Sequence, residues 1–251
     1  MNPTNIWTIA RRDFRSYFTS PIASIIIAGF LLIVGWMFFF NLDHFASMAG
    51  MGRGNSSITD GIVRPLFGNI NVILLFLTPF ITMRLFAEER KNHTLELLIT
   101  SPASLLEIIL GKFFSSLLLI LVMLGITLIY PALLFVTGNP DIGPIFTCYL
   151  GTILLSSCYL SLGVLFSSVT ENQIVAGALT FAGGLFFWLI SWASNSAGPV
   201  LGEVFTHLSL ISHFNNFSQG IVNTVDLVYY LTFIFTGLFL THRVLDSYRW
   251  R

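Results

Sequence analysis

Gly111-Lys112 is the closest this chain comes to a phosphate-binding loop, and it falls short. Such a loop needs an upstream glycine to bend backbone N–H groups onto the phosphates and a Ser or Thr after the lysine for Mg2+; here Phe113 follows and the upstream glycine is missing. There is no H-E-x-x-H, no G-x-S-x-G, and no Cys/His group at metal-ligand spacing. Cys148 and Cys158 fall in one apolar run, where helical geometry sets them about 15 Å apart, too far to bridge each other. His93 reads as a solvated loop residue and Glu171 as a charge in a short connection. The inventory therefore predicts no catalytic residue, no metal and no cofactor, and no ATP hydrolysis by this chain. The charges that remain are grouped, above all in "ERKNHTLELLITSP", Glu89–Pro102. Grouped charges of this kind suit binding.

The elements that must position them are apolar. Of 251 residues 55% are hydrophobic and 10% charged, with 25 phenylalanines and a mean hydropathy of +0.81. A soluble domain of this length carries roughly a quarter charged residues, so the composition fits a lipid bilayer. The formal net charge of zero gives no reason to expect a nucleic-acid partner. Windows of about 19 residues mark six spans: Ile22–Asn41, Leu66–Met83, Phe113–Val136, Ile145–Phe166, Ile174–Trp192 and Leu227–Leu240. Their apolar runs are continuous rather than alternating, and backbone groups in lipid must be satisfied internally. The prediction is an all-α, polytopic membrane domain, residues 1–251, with six transmembrane helices.

Ten of the twelve Lys and Arg residues lie before the first span, between spans two and three, or after span six, while Arg53 and Arg64 lie in the first outer loop. Both termini and the Arg84–Lys112 connection are therefore expected in the cytoplasm. Ser47-Met48-Ala49 resembles a signal-peptide cleavage site, but about twenty residues precede the apolar run and that run is longer than an h-region, so retention is expected. The following "MAGMGRGNSS" is Gly/Ser-rich and expected to be a mobile loop.

Three segments outside the spans are organised. In Asn5–Phe18, Ile6, Trp7, Ile9, Ala10, Phe14, Tyr17 and Phe18 share one side of a helical wheel and Arg11, Arg12 and Arg15 the other; only Asp13 intrudes on the apolar arc. This predicts an interfacial helix, with Ser20-Pro21 turning the chain into the membrane. In residues 84–112, Phe86–Lys91 prolongs span two, Thr94–Ile99 forms a short helix, and Ser104-Leu-Leu-Glu107 is a capping box opening span three. Leu95, Leu98 and Ile99 share a face while Leu97 points away. Periodicity leaves two readings equal: a helix that touches a cytoplasmic partner, or a hairpin packed on its own membrane domain. In residues 193–226, nearly uncharged, Gly202–Leu210 and Asn215–Asn223 are expected as a re-entrant helical pair in the outer leaflet. Pro79 and Pro131 are expected to kink spans two and three. No span carries Asp, Glu, Lys or Arg near its centre, which argues against an ion-coupled transporter. A channel is disfavoured too, since no span offers a polar stripe beyond scattered Ser and Thr.

"FAEERKNHTLELLITSPASLLEIILGK", Phe86–Lys112, resembles the hallmark segment of ABC type-2 transporter permeases. "ARRDFRSYFTSPIA" resembles their N-terminal elbow, and "HFNNFSQGIVNTVDLVYYL" the entry to their sixth span. "VLDSYRWR" and the "SHF…G…D…YY" pattern look closest to the gliding-motility-associated and copper-enzyme-maturation permeases. The resemblance implies a permease subunit in the bacterial inner membrane, of an exporter. Its residues 84–112 would hold a coupling helix docked in a separate ABC ATPase subunit. Glu88, Glu89, Arg90 and Lys91 would surround that contact and Thr94, Leu95, Glu96, Leu97 and Leu98 would make it. A second copy or a paralogous permease would complete the pathway. A non-transport assembly or force-transmitting subunit, acting on a periplasmic or other outer-side partner through residues 193–226, is the alternative. The substrate is not legible.

Overall fold

The computed structural model describes residues 2–19, 21–50, 57–95, 103–138, 140–194 and 198–248. The chain is all-helical, with no strand among the described residues. Its elements are α1 (Pro3–Thr19), α2 (Pro21–Gly50), a π turn (Thr59–Val63), α3 (Arg64–Thr82), α4 (Ala87–Lys91), α5 (Leu105–Thr127), α6 (Ile129–Thr137), α7 (Ile142–Val169), α8 (Gln173–Ser194), α9 (Gly198–Leu208), α10 (Leu210–Ser218) and α11 (Thr224–Tyr248). Six units among these residues are long and apolar enough to cross a membrane: α2, the run from the π turn to α4, α5 with α6, α7, α8 and α11.

Helix α7 forms the centre, packed by α3, α5, α8, α10 and α11. It is rich in small and hydroxyl residues, which let neighbouring backbones approach closely in lipid. Ser156, Ser157 and Ser161 return their hydroxyls to the carbonyls of Thr152, Ile153 and Cys158 at 2.6–2.8 Å, so the helix buries no unmatched hydroxyl at these positions. Cys148 and Cys158 are free and buried there. Gly163 meets Thr82 of α3, and a Cβ on Gly237 of α11 would lie 2.8 Å from the Ser161 hydroxyl. Helices α2, α8 and α11 lie at the periphery and expose Trp36, Phe186 and Phe235.

Several boundaries differ from those read off hydropathy. Helix α2 continues to Gly50, because Leu42, Phe45 and Ala46 sustain a helix after the apolar window ends. Met48-Ala49-Gly50 of the expected mobile loop are thus helical, and residues 51–56 lie outside the described ones. Arg64, expected in that loop, opens α3, pairs with Asp60 at 3.0 Å and donates to the Ser218 carbonyl at 2.9 Å. The third unit starts at Leu105, where Ser104 and Glu107 make both halves of the capping box. It is interrupted at Leu128, which bonds back to Gly125 at 3.3 Å. Pro131 lacks the N–H that the Thr127 carbonyl would otherwise receive, so α5 ends there and α6 follows after one residue.

In the 193–226 segment the second helix lies earlier than expected. Leu210–Ser218 replaces Asn215–Asn223, and Leu210 belongs to this helix rather than to the one before it. Ser209 explains the start: its side chain accepts the Ser212 N–H at 3.3 Å as an N-cap. Gly220, at φ +82°, explains the end, since only glycine adopts that conformation without strain.

Candidate functional site

The charged run Glu88-Glu89-Arg90-Lys91 is positioned from below. After α3 ends at Thr82 the chain turns through Met83–Phe86 before α4 begins. The two backbone N–H groups freed by that turn, of Phe86 and Ala87, both donate to the Ser167 hydroxyl of α7, at 2.9 and 3.1 Å. Ser167 in turn donates to the Met83 carbonyl at 3.4 Å. Phe86 and Ala87 are fully buried, so α4 is pinned to α7 at its first turn.

Its end is equally defined. His93 takes φ +54°, and Thr94 N–H reaches back to the Glu89 carbonyl at 2.9 Å. That is the left-handed closure usually given to glycine or asparagine. His93 is exposed, but it stops the helix rather than decorating a loop.

The charges then divide. Glu89 Oε1 lies 2.6 Å from Lys112 Nζ, and the same ammonium lies 3.4 Å from Asp13 Oδ2. Lys112 is only 3% exposed and also sits over the Phe86 ring, 5.1 Å from its centroid. One lysine therefore joins α1, α4 and α5, with two carboxylates sharing one cation. Asp13, the residue that broke the apolar arc of α1, is half-buried in this junction. Gly111 allows it: a Cβ there would lie 2.6 Å from the Ile9 side chain, so only glycine lets α1 lie this close to α5. Glu107 clamps the other end of α1, accepting the Asn2 N–H at 2.6 Å and the Asn5 side chain at 3.1 Å. Tyr17 donates to the Ile81 carbonyl at 3.2 Å. Burial pushes its phenol up to about 12, so it remains a neutral donor at physiological pH.

Arg90 points the opposite way. Its guanidinium reaches Glu171 in the α7–α8 connection at 3.0 Å and the Ser168 carbonyl at 3.0 Å, and stacks 4.4 Å from the centroid of Tyr248 near the end of α11. Glu171, read from sequence as a loop charge, is thus the anchor for Arg90. Glu88, Lys91 and Thr94 are exposed, whereas Leu95 is buried in the main core. Glu96, Leu97 and Leu98 lie outside the described residues.

The opposite end of the molecule holds a second polar constellation. Asp226, at the start of α11 and 3% exposed, meets His213 Nδ1 at 2.5 Å and accepts the Asn216 side chain at 2.8 Å. His213 Nε2 lies 3.1 Å from the His207 carbonyl, and its ring stacks on Tyr229 at 4.0 Å. Tyr229 and Tyr230 donate to the Leu208 and Leu210 carbonyls at 2.6 and 2.8 Å. The α9–α10 pair is thereby tied to α11 through the Asp226 carboxylate and two tyrosine hydroxyls. Removing that carboxylate leaves the buried His213 Nδ1 and the half-buried Asn216 amide without their acceptor, the first worth about 1–3 kcal/mol and the second less. Asp226→Ala is accordingly expected to lower stability by about 3 kcal/mol. Thermal unfolding of the detergent-purified chain measures this, and an unchanged midpoint would show that the network does not hold the pair.

Neither constellation resembles a catalytic centre. Among the described residues no three His, Cys, Asp or Glu side chains come together as metal ligands. What the first one offers is mechanical: a short charged helix connected by ion pairs and hydrogen bonds to α1, α5 and α7 and by a cation–π stack to the end of α11. None of the curated proteins compared with the chain matches it. The model of the family described as ABC-2 family transporter protein, by contrast, matches residues 46–241. That stretch holds α4, Lys112, Ser167, Glu171 and Asp226. It covers well over half of a chain with six membrane-crossing units, and the protein therefore belongs to the ABC-2 family of transporter membrane proteins.

Proposed function

We propose that this chain is the permease subunit of an ABC exporter and that its ATPase subunit docks on the segment beginning at α4, residues 84–112. The carrying observation is the division of charges in α4. Glu89 and Arg90 face the protein's own helices, while Glu88, Lys91 and Thr94 face outward. A docking element needs both an outward face for the partner and a rigid connection to what it moves. Glu88 and Lys91 border the contact, and residues 94–98 (Thr94, Leu95, Glu96, Leu97, Leu98) form it, with Leu95 rooting them in the core.

ATP binding closes the two ATPase subunits and shifts the docked segment. The Glu89–Lys112–Asp13 junction carries that displacement to α1 and α5, and Arg90 carries it to the α7–α8 connection and α11. Discrete helix rearrangements of this kind are how a ligand biases a two-state membrane domain. One six-span chain supplies half a pathway, so a second copy or a paralogous permease completes it. The ten-to-two distribution of basic residues supports a cytoplasmic side for α4 and both termini, and the resemblance to bacterial permeases supports the inner membrane. Reporter fusions at the C-terminus and within residues 84–112 are expected to report cytoplasmic locations. A C-terminal tag accessible from outside would reverse the orientation.

A second reading, a force-transmitting subunit acting on an outer-side partner, is favoured by one observation. Val200, Leu201, Val204 and Leu208 of α9 are all exposed and apolar, a surface that suits either outer-leaflet lipid or a partner protein. Purification of the tagged full chain in mild detergent tests both readings. Recovery of an ATPase subunit is expected, and its absence under conditions that keep the chain folded would remove the ABC assignment of the docking segment. Stoichiometric recovery of an outer-side protein would favour force transmission.

A further inference from the structure

A cavity of about 440 Å³ lies between α1, α2, the end of α3, α4 and α5, within the about 300–1,000 Å³ range typical of small-ligand pockets. Its lining changes character from one part to the other. Ala23, Ile26, Phe80 and Leu119 form an apolar wall, and Phe80 is 55% exposed, so the wall reaches the outer surface of the helix bundle. The other part is charged, lined by Asp13, Arg84, Glu88, Glu89 and Lys112.

Not all of those charges are committed. Lys112 is taken up by Glu89 and Asp13. Among the described residues, Arg84 and Glu88 are in no ion pair, although both line the cavity four residues apart. Arg84 Nε and Glu89 Oε2 are buried and make no hydrogen bond, and buried polar atoms of this kind ordinarily have a partner. The cavity thus presents one spare guanidinium, spare carboxylate oxygens and an adjoining greasy wall.

We infer that this cavity binds a phospholipid whose headgroup joins a phosphate to a primary ammonium, as in phosphatidylethanolamine. Arg84 takes the phosphate, and Arg is the side chain whose planar fork suits phosphate oxygens. Glu88, with Glu89 Oε2 beside it, takes the ammonium. The apolar wall takes the first part of an acyl chain. A purely anionic headgroup is disfavoured, because three carboxylates face the cavity against two cations. A quaternary ammonium is disfavoured because it has no N–H to donate to those carboxylates. The site shares Glu88 and Thr94 with the proposed docking contact, so its occupancy is read on the chain alone, where failure of the docking reading leaves the lipid result unchanged.

The test uses the full chain, purified and stripped of lipid in detergent, with bound lipid counted by native mass spectrometry. Phosphatidylethanolamine, phosphatidylcholine and phosphatidylglycerol are titrated separately. One phosphatidylethanolamine per chain is expected to bind at least about tenfold more tightly than either other lipid, as fits the loss of one charge-assisted hydrogen bond. Arg84→Gln is expected to weaken that binding by about tenfold or more. Glu88→Gln, at an exposed position, is expected to leave the fold intact and to erase the preference for phosphatidylethanolamine over phosphatidylcholine. Free phosphoethanolamine, which has the headgroup but no acyl chain, is expected not to displace the lipid. Equal or tighter binding of phosphatidylglycerol, an unchanged preference in Glu88→Gln, or displacement by phosphoethanolamine would each overturn the lipid assignment. Should Arg84→Gln fail to fold, the Glu88→Gln preference decides.

Discussion

A chain carrying Glu96→Ala and Leu97→Arg together is expected to reach the membrane at normal levels and to lose its ATPase subunit in pull-down. On the helical spacing read from the sequence, Leu97 lies opposite Leu95, and Leu95 is the residue buried in the core. In the proposed docking, Leu97 is the position offered to a cleft on the partner. An arginine inserted there meets no counter-ion, and burying an unpaired charge costs several kcal/mol. Every 1.4 kcal/mol or so is a tenfold loss of affinity, so the association should fall by orders of magnitude. If the segment packed only on its own membrane domain, the same change on its solvent side would cost under about 0.5 kcal/mol and the ATPase would still be recovered. Pull-down is therefore scored against the amount of chain in the membrane. A normal pull-down from a well-expressed double variant would remove this segment as the docking element.

Lys112→Met should produce the second large effect, inside the protein rather than at its surface. The substitution leaves the Asp13 and Glu89 carboxylates near one another without their shared cation, Asp13 keeping its exposed neighbour Arg12 at 2.9 Å. Removing one partner of a buried pair costs about 3–5 kcal/mol. Asp13 and Glu89 side chains retain 15% and 21% exposure, which puts the expected loss at the low end, about 3 kcal/mol. Combining Lys112→Met with Glu89→Gln removes one orphaned charge and is expected to recover part of that loss, a non-additivity that neighbouring groups show and distant ones do not. Thermal unfolding in detergent reads both. Additive losses in the double variant would mean that Lys112 and Glu89 act separately.

The sequence made the membrane architecture legible because hydropathy is a local property summed over a window. Capping is local too, so Ser104 and Glu107 could be read as the start of the third unit, as could the break Pro131 introduces. The candidate site resisted for the opposite reason. Lys112 meets carboxylates 23 and 99 residues away, and no periodicity encodes such pairings. Asp13 did carry a signal, a lone acid on an apolar arc, but it pointed to a partner without identifying one. Ser167 carried none: it is one of many serines in α7, and only the turn at Met83–Phe86 makes it the clasp for α4. His93 likewise stands where glycine or asparagine is usual. The second outer helix was displaced because Ser209, a polar residue inside an apolar stretch, acts as an N-cap. Asn71 is fully buried in α3, and neither polar atom of its side chain has a partner; the structure gives no account of it.

The contact between α1 and α5 also sets an order of events during synthesis. Asp13 precedes Lys112 by 99 residues, and ribosomes add about 5–20 residues per second. Helix α1 therefore leaves the ribosome several seconds to some twenty seconds before the glycine-lined groove it occupies exists. Through that interval Ile6, Ile9 and Phe14 have no protein surface to cover them, while Trp7 and Phe18 stay exposed in the finished fold as well. The bilayer interface can hold a helix of this pattern, with three arginines on its polar side and a single acid among its apolar residues. The acid makes that parking place imperfect, and the arrival of Lys112 removes the imperfection. Asp13 thus biases the nascent helix to dock its inner side on α5 once that neighbour has been made.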